Sequence, residues 1–248
     1  MNLKERKIGD LLEENYSYGS VLYFLGIHFY NYDENTLEEV CREKGLSVDQ
    51  VVAKLKSVGG PVEEVDPSLF LLPIDLVIEY LKQEHHRFVK SRLRYISNLI
   101  SSLESKGNPQ PQLVEDLKFV FPIFVEDFIH HVYEEEDTLF SYILQLNKAL
   151  HTHKNHPSLY FRMEANALQE YAVHHEVHED EMAGIREITN QYDTSNKSLL
   201  LQVIFKELKC FEKELDLHAK IENEILFPKS LMLEKRVKSL IEKRINLN

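Results

Sequence analysis

Cysteine is scarce. Cys41 and Cys210 are the two in 248 residues, and no CxxC pair occurs. That gives no disulfide framework and fits a reducing compartment, read here as the cytoplasm. Glycine and proline number eight each and cluster at a few places, which leaves room for long uninterrupted helices. There is no Lys/Arg-rich run, and the net charge is −12, so nucleic acid and anionic membrane surfaces are excluded as partners. Long apolar runs are missing too. The most apolar stretch, LFLLPIDLVI (69–78), is broken by Pro73 and Asp75 and is too short to cross a bilayer. The opening MNLKERKIGDLLEEN has neither the apolar segment nor the cleavage site of a secretory signal.

What remains is a globular mix, 43% hydrophobic and 28% charged, in which helical periodicity dominates and no β-alternation persists. Residues 1–58 read as a small domain of short helices. Thr36 opens TLEEVCREKG and Gly45 stops it; Ser47 with Gln50 reads as a capping box before VVAKL. Residues 59–72, beginning GGPVEEVDPS, read as a linker. Residues 73–248 then carry four long helical segments, about 73–104, 112–149, 157–191 and 195–245, separated by KGNPQP, HTHKNHP and YDTSN. Short loops between four long helices predict an all-α, antiparallel up-down-up-down bundle. Pro122 predicts a kink or a late start in the second helix.

Histidine is the residue in excess, with twelve copies. In FIHHVYEEEDTLF, His131 stands four residues before Glu135; in ELDLHAKIENEILFP, His218 stands four before Glu222. Residues four apart share a helix face, and Leu-Phe follows each pair. The other two long helices carry His85-His86 and His174-His175. Taking His86 and His175, successive steps along 86, 131, 175 and 218 are 45, 44 and 43 residues. Near-equal steps of one helix plus one loop bring four imidazoles and two carboxylates to one level of an antiparallel bundle. A lone HxxxE is a surface i,i+4 pair, but two repeats with two further histidines at matched intervals point to metal, because such groups buried without partners cost several kcal/mol each. Mixed imidazole and carboxylate ligands suit Fe, Mn or Zn rather than Ca or Mg. Two glutamates can bridge two ions and two histidines terminate each, which leaves positions open for oxygen, nitric oxide or an oxo bridge. In the first helix the apolar residues Ile78, Leu81, Phe88 and Val89 favour His85, whereas register favours His86. His151, His153 and His156 read as solvated, and His130 and His178 as turned away from the centre.

These motifs resemble the hemerythrin-like di-iron proteins, and specifically the family named for repair of iron centres, over nearly the whole chain. HVYEEEDTLF and HAKIENEILFP resemble that family's two HxxxE-x-x-x-LFP motifs. IEYLKQEHH and HHEVHEDEMAGIREITN resemble its first- and third-helix stretches. The resemblance implies His86, His131, His175 and His218 as terminal ligands, Glu135 and Glu222 as bridges, and two iron ions in an oxo-bridged centre, with Mn or Zn as alternatives. GIHFYNYDENTLEEVCREKGL resembles the family's N-terminal GIDFCCGGxxTLEEACxxKGL. Tyr30-Asn31 replace the Cys-Cys pair, Tyr32-Asp33 replace two glycines, and Ser141 stands where the first LFP motif has proline. Cys41 reads as a small buried residue.

The function the resemblance implies is restoration of iron–sulfur clusters damaged by oxidative or nitrosative stress, through iron donation or handling of nitric oxide. Apo iron–sulfur proteins would be its partners. The same ligands would serve an oxygen or nitric oxide sensor without repair activity. The aromatic group of FLGIHFYNY suggests either a homodimer contact or packing within the chain.

Overall fold

In the computed structural model, the described residues are 2–59, 64–106, 108–151, 157–164, 168, 169, 171 and 180–245. Among them every regular element is helical, so the fold class is all-α. The helices are α1 (Ile8–Glu14), α2 (Tyr18–Phe24), α3 (Leu37–Glu43), α4 (Val48–Lys56), α5 (Ile74–Arg87), α6 (Leu93–Ser101), α7 (Pro111–Glu134), α8 (Ser141–His151), α9 (Pro157–Glu164), α10 (Ala183–Ile188), α11 (Leu199–Ile221) and α12 (Phe227–Ile245). Three π turns join some of them without a break: Phe88–Arg92 between α5 and α6, Glu135–Phe140 between α7 and α8, and Glu222–Leu226 between α11 and α12. The first, second and fourth long helical segments expected from periodicity are thus present. Part of the third lies outside the described residues. No helix is long and apolar enough to cross a membrane among those residues.

The chain groups into two compact units. The first contains residues 1–62, 94–121 and 184–212. Residues 1–58 therefore share their unit with later stretches of chain. Its core includes Ile8, Leu11, Leu12, Leu22, Phe29, Leu37 and Val40, all buried. Thr36 begins α3 as a complete capping box: its hydroxyl accepts from the Glu39 N–H at 3.3 Å, and the Glu39 carboxylate accepts from the Thr36 N–H at 2.9 Å. Thr36→Ala is expected to cost about 1 kcal/mol, read as a lower urea midpoint at unchanged slope. Gly45, at φ +67°, ends the helix in a conformation that favours glycine. Ser47 does occupy the N-cap of α4, but its side chain makes no capping bond, so the expected Ser47–Gln50 box does not form. Pro122 does not delay its helix, because α7 starts at Pro111 and runs through it.

Where the family pattern has two cysteines, Tyr30 and Asn31 end a 3-10 turn, Phe29–Asn31. The Tyr30 hydroxyl donates to Ser102 Oγ at 3.0 Å and lies 3.1 Å from His28 Nδ1. Phe29 is buried, and the rings of Tyr23 and Phe24 pack on Tyr95, so much of the FLGIHFYNY aromatic group is used within its own unit. Cys41 is buried as expected, and burial pushes its thiol pKa up, away from nucleophilic chemistry.

The second unit contains residues 63–93, 122–183 and 213–248. In the stretch read as linker, Pro67–Leu71 form a 3-10 turn capped by Asp66, whose carboxylate accepts from the Ser68 N–H at 2.8 Å. The unit's core joins Val77, Ile78 and Leu81 of α5, Leu139 and Phe140 of the second π turn, Ile143 and Leu146 of α8, and Ile225, Leu226 and Leu233 from the C-terminal stretch. Tyr142 is buried and donates its hydroxyl to Glu234 at 2.5 Å, while the Arg162 guanidinium lies over its ring. Arg87 and Arg92 both reach Glu214, at 3.2 and 3.0 Å. They tie the first long helix to α11 one turn before His218.

Candidate metal centre

The apolar stripe of α5 runs Val77, Ile78, Leu81 and continues to Phe88 just beyond its end. All four are fully buried. His85 occupies the place in that stripe where a leucine would sit, and is 2% exposed. His86 is one position further round the helix and exposed. The placement therefore differs from the His86 expected by register. The 3.6-residue repeat of the stripe carries His85 inward, and a one-residue offset turns a helical side chain by about 100°.

Glu135 and Glu222 each stand at the first residue of a π turn, and each lies four residues after a histidine. Such turns close i→i+5 hydrogen bonds and are frequent at functional sites. Here the extra residue lets the carboxylate and the following Leu139-Phe140, or Ile225-Leu226, all be buried. A regular helix would spread them further around its circumference.

Together His85, Glu135, His218 and Glu222 form a cluster in which one ligand atom from each lies within 4.8 Å of the rest. Glu135 is 7%, His218 8% and Glu222 1% exposed, so the whole group is withdrawn from water. His85 Nε2 is 3.0 Å from His218 Nε2 and 3.4 Å from Glu135 Oε2. His218 Nε2 is 3.4 Å from Glu222 Oε1. His131 is half-buried, with Nε2 3.7 Å from the same Glu135 oxygen and Nδ1 4.0 Å from Glu181. One Glu135 oxygen thus lies within 3.7 Å of two imidazoles. His175 lies outside the described residues, as do His153, His156 and His178; His130 and His151 are exposed.

The donors fit a metal ion. His85 Nδ1 stands 3.0 Å from Glu136 Oε1, an arrangement in which Nδ1–H donates to the carboxylate and Nε2 keeps its lone pair. Two Nε2 atoms 3.0 Å apart are joined either by a hydrogen bond, one N–H donating to the other's lone pair, or by a metal ion between them. Ligands about 2.1 Å from one ion lie about 3.0 Å apart at right angles and about 3.4 Å apart at the tetrahedral angle, which brackets the closest separations seen. Among the described residues His218 Nδ1 has no hydrogen-bond partner. Burial pushes the His85 pKa down, but Glu135, Glu136 and Glu222 outweigh it and raise the value overall, because the surrounding carboxylates favour positive charge at this place. Imidazole with carboxylate is a donor set for Fe, Mn or Zn.

Two parts of this site are not visible in the sequence pattern. The π turns are one: a four-residue spacing is the same whether an α or a π turn follows. Glu136 is the other, hidden in the run Glu134-Glu135-Glu136. The signal for His85 does exist, in the stripe Ile78, Leu81, Phe88.

Residues 76–230 match the family model described as the Hemerythrin HHE cation binding domain. The match covers more than half of the chain and takes in every histidine and glutamate of the cluster, together with His131 and His175. The buried His–Glu cluster, whose atoms could hold a metal ion, lies inside that match, and this chain belongs to the hemerythrin family.

Proposed function

We propose that the chain holds a non-haem di-iron centre and acts in the recovery of iron–sulfur clusters damaged by oxidative or nitrosative stress. The observation that carries the dinuclear reading is the position of Glu135, whose Oε2 lies 3.4 Å from His85 Nε2 and 3.7 Å from His131 Nε2. One carboxylate oxygen within reach of imidazoles from two helices supports a bridging role for Glu135. His85 and His218 then serve one ion, with Glu222 as the second bridge. His131 serves the other ion, with His175 as its expected partner. His86 is left as a surface residue. Glutamate shifts easily between bridging and terminal binding, which suits a centre that releases iron. The repair role rests on the resemblance of both HxxxE stretches and of the N-terminal stretch to the repair-of-iron-centres proteins. Apo iron–sulfur proteins are the proposed clients, in a reducing, cytoplasmic setting.

A second reading is favoured by a specific feature of the first unit. Tyr30 and Asn31 replace the paired cysteines, and Cys41 is a buried thiol with a raised pKa. A protein lacking that thiol pair can still bind oxygen or nitric oxide and report it without repairing anything.

The deciding experiment is elemental analysis of anaerobically purified protein with optical spectra before and after nitric oxide. About two irons per chain are expected. Transfer of that iron to an apo iron–sulfur protein supports repair, whereas reversible gas binding with the iron retained supports sensing. One zinc per chain, or no metal, overturns the di-iron reading.

A further inference from the structure

The π turn Glu135–Phe140 grips the His85 ring on three sides. Glu135 Oε2 approaches Nε2 at 3.4 Å, Glu136 Oε1 lies 3.0 Å from Nδ1, and the Phe140 ring stacks parallel to the imidazole at 5.6 Å between centroids, 6° from coplanar. Two consecutive glutamates on opposite nitrogens of one imidazole is an uncommon arrangement. A regular α-helix turns adjacent side chains about 100° apart. The widened turn brings them closer in angle, so that both reach the same ring.

We infer that Glu136 is a positioning residue for the metal centre: its carboxylate accepts the Nδ1–H of His85, fixes the tautomer, and holds the Nε2 lone pair directed at the ion. The inference rests on the metal-centre reading above. Its support is geometric and comparative within the chain. Glu136 is half-buried, with its side chain 29% exposed, and so has no packing role that would by itself require a carboxylate. The two HxxxE motifs are near repeats, HVYEEEDTLF and HAKIENEILF, yet they differ at the residue after the bridging glutamate, Glu136 in one and Asn223 in the other. His85 has a carboxylate on its outer nitrogen, and His218 Nδ1 has no hydrogen-bond partner among the described residues. His218 is instead met edge-on by Phe88, at 5.6 Å and 67°. Of the two facing imidazoles, His85 thus has a carboxylate at its Nδ1, and His218 has none there among the described residues. Carboxylates placed behind a ligating histidine raise its basicity and hold its ring, and removing them commonly costs 10- to 100-fold in metal affinity.

The test loads apo protein with Co(II) against a competing chelator for wild type, Glu136→Ala and Glu136→Gln, with helix content followed by circular dichroism. Expected are affinity about 10- to 100-fold weaker in Glu136→Ala and a smaller loss in Glu136→Gln, which keeps an acceptor oxygen without its charge. Helix content should be the same in all three. The Co(II) protein also gives a shifted, exchangeable Nδ1–H proton resonance for His85, which should exchange faster in Glu136→Ala. A generally loosened fold would not single out that proton. Wild-type affinity and an unchanged N–H resonance in Glu136→Ala would overturn the positioning role while leaving the centre standing. Failure of the wild type itself to take up Co(II) would overturn the centre, and the inference with it.

Discussion

Glu222→Ala is expected to abolish stable metal binding while leaving the helices intact. Glu222 is 1% exposed, its Oε1 lies 3.4 Å from His218 Nε2, and it belongs to the four-residue ligand cluster. Alanine removes one of the four donors of the cluster. The expected affinity loss exceeds the roughly 100-fold attributed to outer residues. The metal-free variant should be at least as stable to urea as the metal-free wild type. Glu135 and Glu222 place carboxylate oxygens within 4.8 Å of each other, out of water. Such a pair is a cost to the fold without a metal, and the substitution removes one member. That combination separates loss of a ligand from loss of structure. Retention of the wild-type metal content in Glu222→Ala would sink the bridging role.

The second large effect concerns Phe140. Its ring is fully buried, belongs to the core of the second unit, and stacks on His85. Phe140→Ala should lower stability by about 3–5 kcal/mol, the usual range for emptying an aromatic site in a close-packed core. Urea unfolding monitored by circular dichroism reads this directly. It should also weaken metal binding, because the His85 ring loses the face it rests against. Phe140→Leu should recover most of the stability and less of the affinity, since leucine fills volume but offers no flat surface. A stability loss below about 1 kcal/mol in Phe140→Ala would show that the neighbours collapse into the space and that the stack is incidental.

Much of the fold is legible in the amino-acid sequence. Long helices follow from the shortage of glycine and proline and from unbroken 3.6-residue periodicity, and the all-α class with them. The HxxxE spacing of His131–Glu135 and His218–Glu222 points at the stretches that bring Glu135, His218 and Glu222 into the buried cluster, because four residues is a property of the helix itself. The choice between His85 and His86 sets two arguments in competition, and the structure buries His85 in the cluster and exposes His86. Equal steps between helices depend on loop lengths, which carry no constraint at the level of one residue. The stripe through Ile78, Leu81 and Phe88 is local and does. The missing capping bond at Ser47 is the same lesson at smaller scale: a sequence places the residue at the helix start, but the side-chain rotamer decides whether the bond forms. Grouping in space is not legible either, since residues 94–121 and 184–212 join 1–62 through contacts that no composition shift announces.

The π turns have one further consequence, for counting. Each holds one residue more than an α-helix needs to cover the same rise, so each acts as a phase shift in the helix that carries it. Were the stretch between Glu135 and Ser141 to close as plain α-helix with no residue removed, all of α8 would turn by about 100° relative to α7. Tyr142 would leave Glu234, and Phe140 would leave His85, although His131 and Glu135 kept their spacing. Among related sequences, the number of residues after the glutamate is therefore as diagnostic as the four-residue interval before it. A single-residue gap there marks a relative that closes the turn as plain α-helix and keeps the following helix in phase.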